Sequence, residues 1–434
     1  MKRRKNTENG QAIVVIAFAF IILVAFAGLA IDGGMVYSDR RHAQNASDAG
    51  SLAGGGAAAL ELANSNQKFL FEDFNCGSST VNTAIADAET AAVNFMLANG
   101  YSAADFTVST QCVDEDSSYF QEKYIDINTQ IITDTQTSLI HVVYDGPVQN
   151  RVTATTRVKP RMPLAYGNAV VGLNPATNCD DASVDGVKIG GTGGVQIKGG
   201  GIFSNGCLTG QGTCEVEITE IEEQDFVGIG YAGGIFDACP TMIPAPQSIT
   251  ETLPEDSYIV EPPDCTHPDA VNIDNITLSG HQTLDLNTAY PDKHLVCLGS
   301  SGNAIKMTGG EFSGDGFTIY LKNSGDIEIS GGVVDLSAPS AVPKPDPGLP
   351  GILFYVNPEN TSVIDINGNV ESKYYGVIYA PFADVTVTGS GDIGPTFNTQ
   401  IIGWNVSVLG TANIDIWYDD TWNSTRPTLV NLQK

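Results

Sequence analysis

The chain has 434 residues, with 50 Asp and Glu against 21 Lys and Arg for a net charge of −29, and only 16% of its residues are charged while 42% are apolar. That apolar fraction can build a packed core and excludes a disordered acidic tail, and the length suits about two to three domains. Neutralising phosphate needs clustered Lys and Arg, so the acidic balance excludes nucleic acid as a partner.

Lys2, Arg3, Arg4 and Lys5 form a basic head, followed by Ala12 to Ile31, twenty residues without a charge. From Asp32 onward, 17 basic and 49 acidic residues leave a net of −32. Twenty helical residues at ~1.5 Å each match a hydrocarbon core of ~30 Å. Residues 1–11 therefore read as a cytoplasmic head and 12–31 as a single-pass transmembrane helix, since a basic flank stays cytoplasmic and leaves the bulk extracytoplasmic. A cleaved secretory signal is the other reading, with small-residue sites at Ala25-Phe26-Ala27 and Gly28-Leu29-Ala30. Both export everything after Asp32.

Eight cysteines, at 76, 112, 179, 207, 214, 239, 265 and 297, contain no Cys-x-x-Cys. This argues against a zinc knuckle or a thioredoxin-type motif, and an even number in an exported chain reads as disulfides. The first pairing expected is Cys76 with Cys112, which encloses one local module.

Residues 32–63 are rich in helix formers, so the membrane helix is expected to continue, with Gly54-Gly55-Gly56 as its weak point. Gly10-Gln11-Ala12 precedes the apolar run, and Asp32-Gly33, Tyr37, Arg40-Arg41 and Gln44-Asn45-Ala46-Ser47-Asp48-Ala49 follow it. This ordered set resembles the N-terminal region of the Flp pilus-assembly TadE/TadG-like family, over about residues 8 to 60. The resemblance favours the anchor over a cleaved signal. It implies a role in Flp-type pili or a related surface assembly, with other pilus-assembly or envelope proteins as partners. Family members cleaved after the Gly carry a Glu five residues on, where this chain has Val15. The Asp-x-Ser-x-Ser metal triplet of larger members is lacking too; the nearest string, Asp181-Ala182-Ser183-Val184-Asp185, reads as a polar loop.

Residues 64–165 read as a small α+β module. Apolar residues at helical spacing predict a helix from Thr83 to Asn99, ending at Gly100. Strands are expected at Phe106 to Val113, Tyr124 to Ile131, Ser138 to Tyr144 and Arg151 to Val158. Arg151, Arg157, Lys159 and Arg161 read as a solvated strand face, with contact to headgroups or a carboxylate partner as the alternative.

From 166 to 434 a pattern recurs, apolar-x-apolar-x-Gly, starting at Val187, Val195, Ile276, Ile305, Ile327, Ile364, Val385 and Val406. Successive starts at 305 and 327, and at 364, 385 and 406, lie 22 or 21 apart. Between copies runs a second apolar segment, at His294 to Leu298, Phe317 to Leu321, Ile352 to Val356, Val377 to Ala380 and Ile401 to Trp404, giving two strands per period. The irregular gap from 327 to 364 holds Pro339 to Pro350, twelve residues with five prolines, expected to protrude as a loop. A five-residue alternating strand cannot bury its apolar face alone, whereas stacking equivalent strands can. A parallel β-helix is favoured over an antiparallel sandwich, in which the same glycines would mark hairpin turns. The segment Gly376 to Pro381 with Val385-Thr386-Val387 also resembles the C-terminal solenoid of some bacterial pilus-associated surface proteins. Residues 207–265, with four cysteines and an acidic run, read as an irregular disulfide-braced insertion. The chain as a whole reads as mainly β.

No catalytic, cofactor or metal site is expected. Gly228-Ile229-Gly230-Tyr231-Ala232-Gly233 matches the dinucleotide pattern, but Cys239-Pro240 follows where the phosphate-holding helix should begin. Five Asn-x-Ser/Thr sequons, at Asn45, Asn275, Asn360, Asn405 and Asn423, are expected by chance in this composition. The expected function is a non-enzymatic, membrane-anchored envelope protein of pilus assembly or surface adhesion. The alternative is a carbohydrate-active or carbohydrate-binding β-helix. Its candidates are Asp365, Asn367, Asn369 and Glu371 on one strand face, Asp392, Asp415, Asp419 and Asp420, and a stacking platform of Trp404, Trp417 and Trp422.

Overall fold

The computed structural model describes residues 11–64, 74–115, 120, 122–137, 139–140, 146–179, 185–219, 228–237, 239–340, 347–368, 371–389, 396–410, 413–419 and 422–433. The chain forms two compact units, 1–161 with 427–434, and 162–426.

In the first unit, α1 spans Gln11–Asn64, 54 residues or ~81 Å at ~1.5 Å each. Every large apolar side chain from Ile13 to Ile31 is exposed along it. Leaving such side chains in water forgoes roughly 1.5–3 kcal/mol apiece, which insertion into lipid recovers. Helix α2, Ser79–Ala98, is capped by Ser78, whose hydroxyl accepts from Val81 N–H at 3.3 Å. Strands β1, Phe106–Glu115, β2, Glu122–Thr135, and β3, Val148–Lys159, form an antiparallel meander. Asn150, Val152, Ala154, Thr156 and Val158 are buried at every second position of β3, which is how a sheet with helices on one side is patterned.

Two expectations for this unit are corrected. The fourth strand is Leu429–Gln433, antiparallel to β3. The expected strand at Ser138 to Tyr144 falls mostly outside the described residues, and Leu139 and Ile140 are not in a strand. Local β propensity could not reveal a partner that arrives 270 residues later. Helix α1 also runs unbroken through Gly54-Gly55-Gly56. A Cβ at Gly54 would lie 2.9 Å from the Ala88 carbonyl oxygen, and one at Gly55 would lie 2.5 Å from Thr156 Cγ2. These glycines allow close packing on α2 and the sheet, and that packing outweighs their low helix propensity.

The second unit is a parallel solenoid with three faces. Its first face runs, in spatial order, through Val271–Ile273, Leu295–Leu298, Thr318–Leu321, Ile352–Val356, Val377–Ala380, Ile401–Gly403, Asn168–Gly172, Gly201–Ser204, Ile229–Tyr231 and Gln247–Ser248. On the second face the repeat starts stack in register as one inward ladder, Ile276, Ile305, Ile327, Ile364, Val385, Val406, Val187 and then Leu208. The third face was not legible in the repeat. Its short strands contribute few inward side chains each, such as Leu336, Tyr374, Phe397, Ile416, Ile197 and Ile218 in one ladder. Val195 starts a strand of this third face, not of the second.

Spatial order is a permutation of sequence order. The chain enters at a central rung near 168, adds rungs to 248, and then the segment 249–270 returns to the opposite end, where 271 begins the rungs that close back onto 168. Ten first-face strands at ~4.8 Å span about 43 Å, well within reach of 22 extended residues. One apolar core runs through both halves, containing Val170 and Val187 beside Ile401 and Val406. The 207–265 region is therefore not an irregular insertion. Cys207–Gly212, Glu215–Thr219 and Ile229–Tyr231 are regular strands of the second, third and first faces, whereas 249–270 lies outside the rungs. In the Pro339–Pro350 loop, residues 341–346 are outside the described residues.

Candidate functional site

The residues from Asp32 to Leu62 make one docking face on α1. Ala43, Ala46, Ser47, Gly50, Ser51, Gly54, Ala58 and Leu62 are buried, and their spacing of three and four keeps them on one side of a helix. Ser47 and Thr129 hydroxyls lie 2.8 Å apart, and Thr129 also donates to the Ser47 carbonyl at 2.9 Å. Thr156 donates to the Ser51 hydroxyl at 2.9 Å. Hydrogen bonds between buried hydroxyls offset the cost of taking them out of water and fix the register of helix on sheet.

Asp32 is fully buried at the membrane end of this face, and one of its carboxylate oxygens accepts Leu139 N–H at 2.8 Å and Ile140 N–H at 2.6 Å. The missing side chain at Gly28 leaves the space that Leu139 fills. Gln44 donates to Asp48 at 2.7 Å, one turn on, and to the Thr153 carbonyl at 3.2 Å. Asp32 thus ties α1 to the segment after β2, and Gln44, braced by Asp48 on the same helix, ties it to β3, while Tyr37, Arg40, Arg41 and Asn45 stay exposed.

Residues 10–59 match the Flp pilus-assembly TadE/G-like family model. The TadE/G-like stretch is thus α1 itself, from its start to its docking face. No curated protein and no solved structure matches the chain. Of the motif positions, Gly10 lies outside the described residues, and a Cβ at Gly33 would meet nothing within 4 Å. The motif's chemistry in this chain is packing and capping. Ser47, Ser51 and the small-residue stripe were missed as a docking face, although their spacing was readable.

The eight cysteines form four disulfides, Cys76–Cys112, Cys179–Cys207, Cys214–Cys239 and Cys265–Cys297. The first closes the helix module as expected. The last fastens the return segment 249–270 to the first face. That segment also lies over an outward tyrosine ladder, where Tyr355 donates to the Val260 carbonyl at 2.7 Å and Tyr379 accepts Val260 N–H at 3.1 Å. Burial raises both hydroxyls, Tyr379 to about 12, so they remain protonated partners. In the basic run, Arg157 forms a two-point pair with Asp126, at 2.8 and 2.9 Å, and lies 3.5 Å over Tyr124. Arg151 is exposed.

The candidates of the carbohydrate reading are scattered. Asp365 and Asn367 share the outer side of one strand, Glu371 sits in a turn, and Asn369, Asp392 and Asp420 lie outside the described residues. Asp415 is on the third face and Asp419 in the loop after it. Trp404 stacks on Phe382 at 6.2 Å, apart from Trp417 and Trp422. Gly228 to Gly233 is a strand and a turn leading into another strand, with no helix to receive a phosphate. Among the described residues no group of three or more His, Cys, Asp or Glu could hold a metal ion. Asn360 and Asn423 are buried, and Asn405 donates to Asp384 at 2.8 Å and accepts Gly186 N–H at 2.9 Å across the seam between the two solenoid halves. These three asparagines serve the fold.

Proposed function

We propose that the chain is a non-enzymatic component of a Flp/Tad-type pilus or adhesion system, holding an acidic solenoid outside the cytoplasm on a single membrane helix. The observation that carries this reading is the TadE/G-like helix α1, whose apolar N-terminal half is left exposed while its C-terminal half is packed on a folded sheet. Four disulfides suit an oxidising compartment, and the basic head before Ala12 orients the helix with its N-terminus inside. An acidic surface limits self-association and keeps a displayed domain soluble.

Protease added to intact spheroplasts should remove the region after Asp32 and leave a membrane-held N-terminal fragment. Full protection of that region, or a mature chain starting after Ala27 or Ala30, would overturn the topology. Cells lacking the chain should lose piliation or surface attachment; wild-type levels of both would overturn the role.

A further inference from the structure

The third face of the solenoid carries polar clefts and exposed aromatic rings on its outer side. Two clefts of about 440 and 450 Å³ open on it, one around Asp285, Asp315, Asp335 and Tyr375, the other around Gln196, Glu215, Glu217 and Asn413. Near them stand two exposed tryptophans, Trp417 at 38% and Trp422 at 41%. Trp422 lies edge-on to Tyr375 at 5.9 Å, and Lys198 Nζ sits 4.4 Å from the Trp417 ring centroid. A large aromatic ring beside a polar cleft offers a ligand an apolar face to stack on next to hydrogen-bonding groups.

We infer that this face binds an uncharged polysaccharide chain lying along the solenoid axis. The central outward ladder includes Ser313, Asp335 and Lys373 on adjacent rungs and, further along, Asp415, Gln196 and Glu217, so acids, a cation and an amide share one line along the axis. An anionic glycan would meet the carboxylates, and a basic peptide would meet Lys373 and Lys198. Sugar hydroxyls can donate to the carboxylates and accept from the ammonium and amide groups, while pyranose faces stack on indole and phenol rings. The first cleft is set before any ligand arrives. Asn287 and the Asp315 backbone exchange two hydrogen bonds, at 2.9 and 2.7 Å, and Ser337 donates to the Asp315 carboxylate. Groups ordered by folding add little entropy cost on binding. Rungs repeat every ~4.8 Å, close to the advance of one sugar ring in an extended glycan, so a periodic polymer meets a periodic ladder.

This inference gives a ligand class to the adhesive reading and rests on it for the location of the face, but binding itself is independent of topology. The full chain in lipid nanodiscs, free of sugar-based detergent, is titrated with an array of uncharged hexasaccharides, including cellohexaose, xylohexaose and mannohexaose, and with hexagalacturonate and hexalysine. Saturable change in tryptophan fluorescence is expected with at least one uncharged sugar, unaltered between about 0.15 and about 1 M salt. Trp417→Ala and Trp422→Ala should each weaken it about tenfold or more, with unchanged thermal melts, and Trp404→Phe should leave the affinity as it was. No uncharged sugar bound at about 1 mM, affinity unmoved by the two alanine variants, or binding of hexalysine alone that disappears in high salt would overturn the proposal.

Discussion

Asp365 stands on the outer side of the second face between Glu328 and Thr386 on neighbouring rungs. Burial raises its pKa, and Glu328 adds to the rise. Lys306 answers only Glu328, at 2.6 Å. Because the folded pKa exceeds the unfolded value of ~3.9, the carboxyl stabilises the fold at low pH, and that contribution is lost as pH rises through the folded pKa. Asp365→Asn should therefore match the parent in thermal melts at about pH 3 and melt slightly higher at about pH 7. Solvent screening keeps the gain below about 1 kcal/mol. A lower melting temperature at neutral pH would show that the carboxylate is favourably held. Asp32 is the contrasting case, a carboxylate whose burial is compensated by two backbone N–H donors.

At the scale of an element, α1 combines a lipid-facing half with a docked half in one uninterrupted helix. Adjacent glycines separate packing from propensity. A Cβ at Gly55 would press on Thr156 at 2.5 Å and Val430 at 3.0 Å, whereas one at Gly56 would meet nothing within 4 Å. Gly56→Ala should stabilise the chain by up to about 1 kcal/mol through helix propensity alone. Gly55→Ala should destabilise it by about 1–3 kcal/mol despite the same gain, because the helix must lift from the sheet. Thermal unfolding of the two variants checks this. Equal shifts would mean that α1 is not seated at Gly55.

For the whole molecule, the solenoid is an insertion within a β-hairpin. Lys159 pairs with Leu429, and Met162–Pro163 pairs with Thr425–Arg426, so the insert leaves the sheet and returns beside its own starting point. Replacing 162–426 by a two-residue Asn-Gly turn should leave the first unit folded, since its sheet, helices and Cys76–Cys112 lie within one compact unit. Cooperative melting with that disulfide formed is the expected result, and an unfolded or aggregated product would show that the sheet depends on the solenoid. Within the insert, the rung at 168 stacks on the rung at 401, a closure over more than 200 residues whose entropy cost exceeds that of joining rungs adjacent in the chain.

Much of this was readable from residues alone. The apolar run, the acidic bulk after it and the even set of cysteines already carried the expectation of a membrane-anchored chain with disulfides. The 21-residue spacing favoured a parallel solenoid over an antiparallel sandwich, because a repeat whose apolar phase is constant buries every copy when equivalent strands stack in register. Periodicity shows that rungs stack but not which rung lies next to which. The permuted order, the tyrosine ladder beneath 249–270, the returning strand at 429–433 and the contact of Tyr375 with Trp422 all join residues far apart in the chain. Such contacts are selected by the burial available once the local units exist, so they were settled only by the tertiary structure.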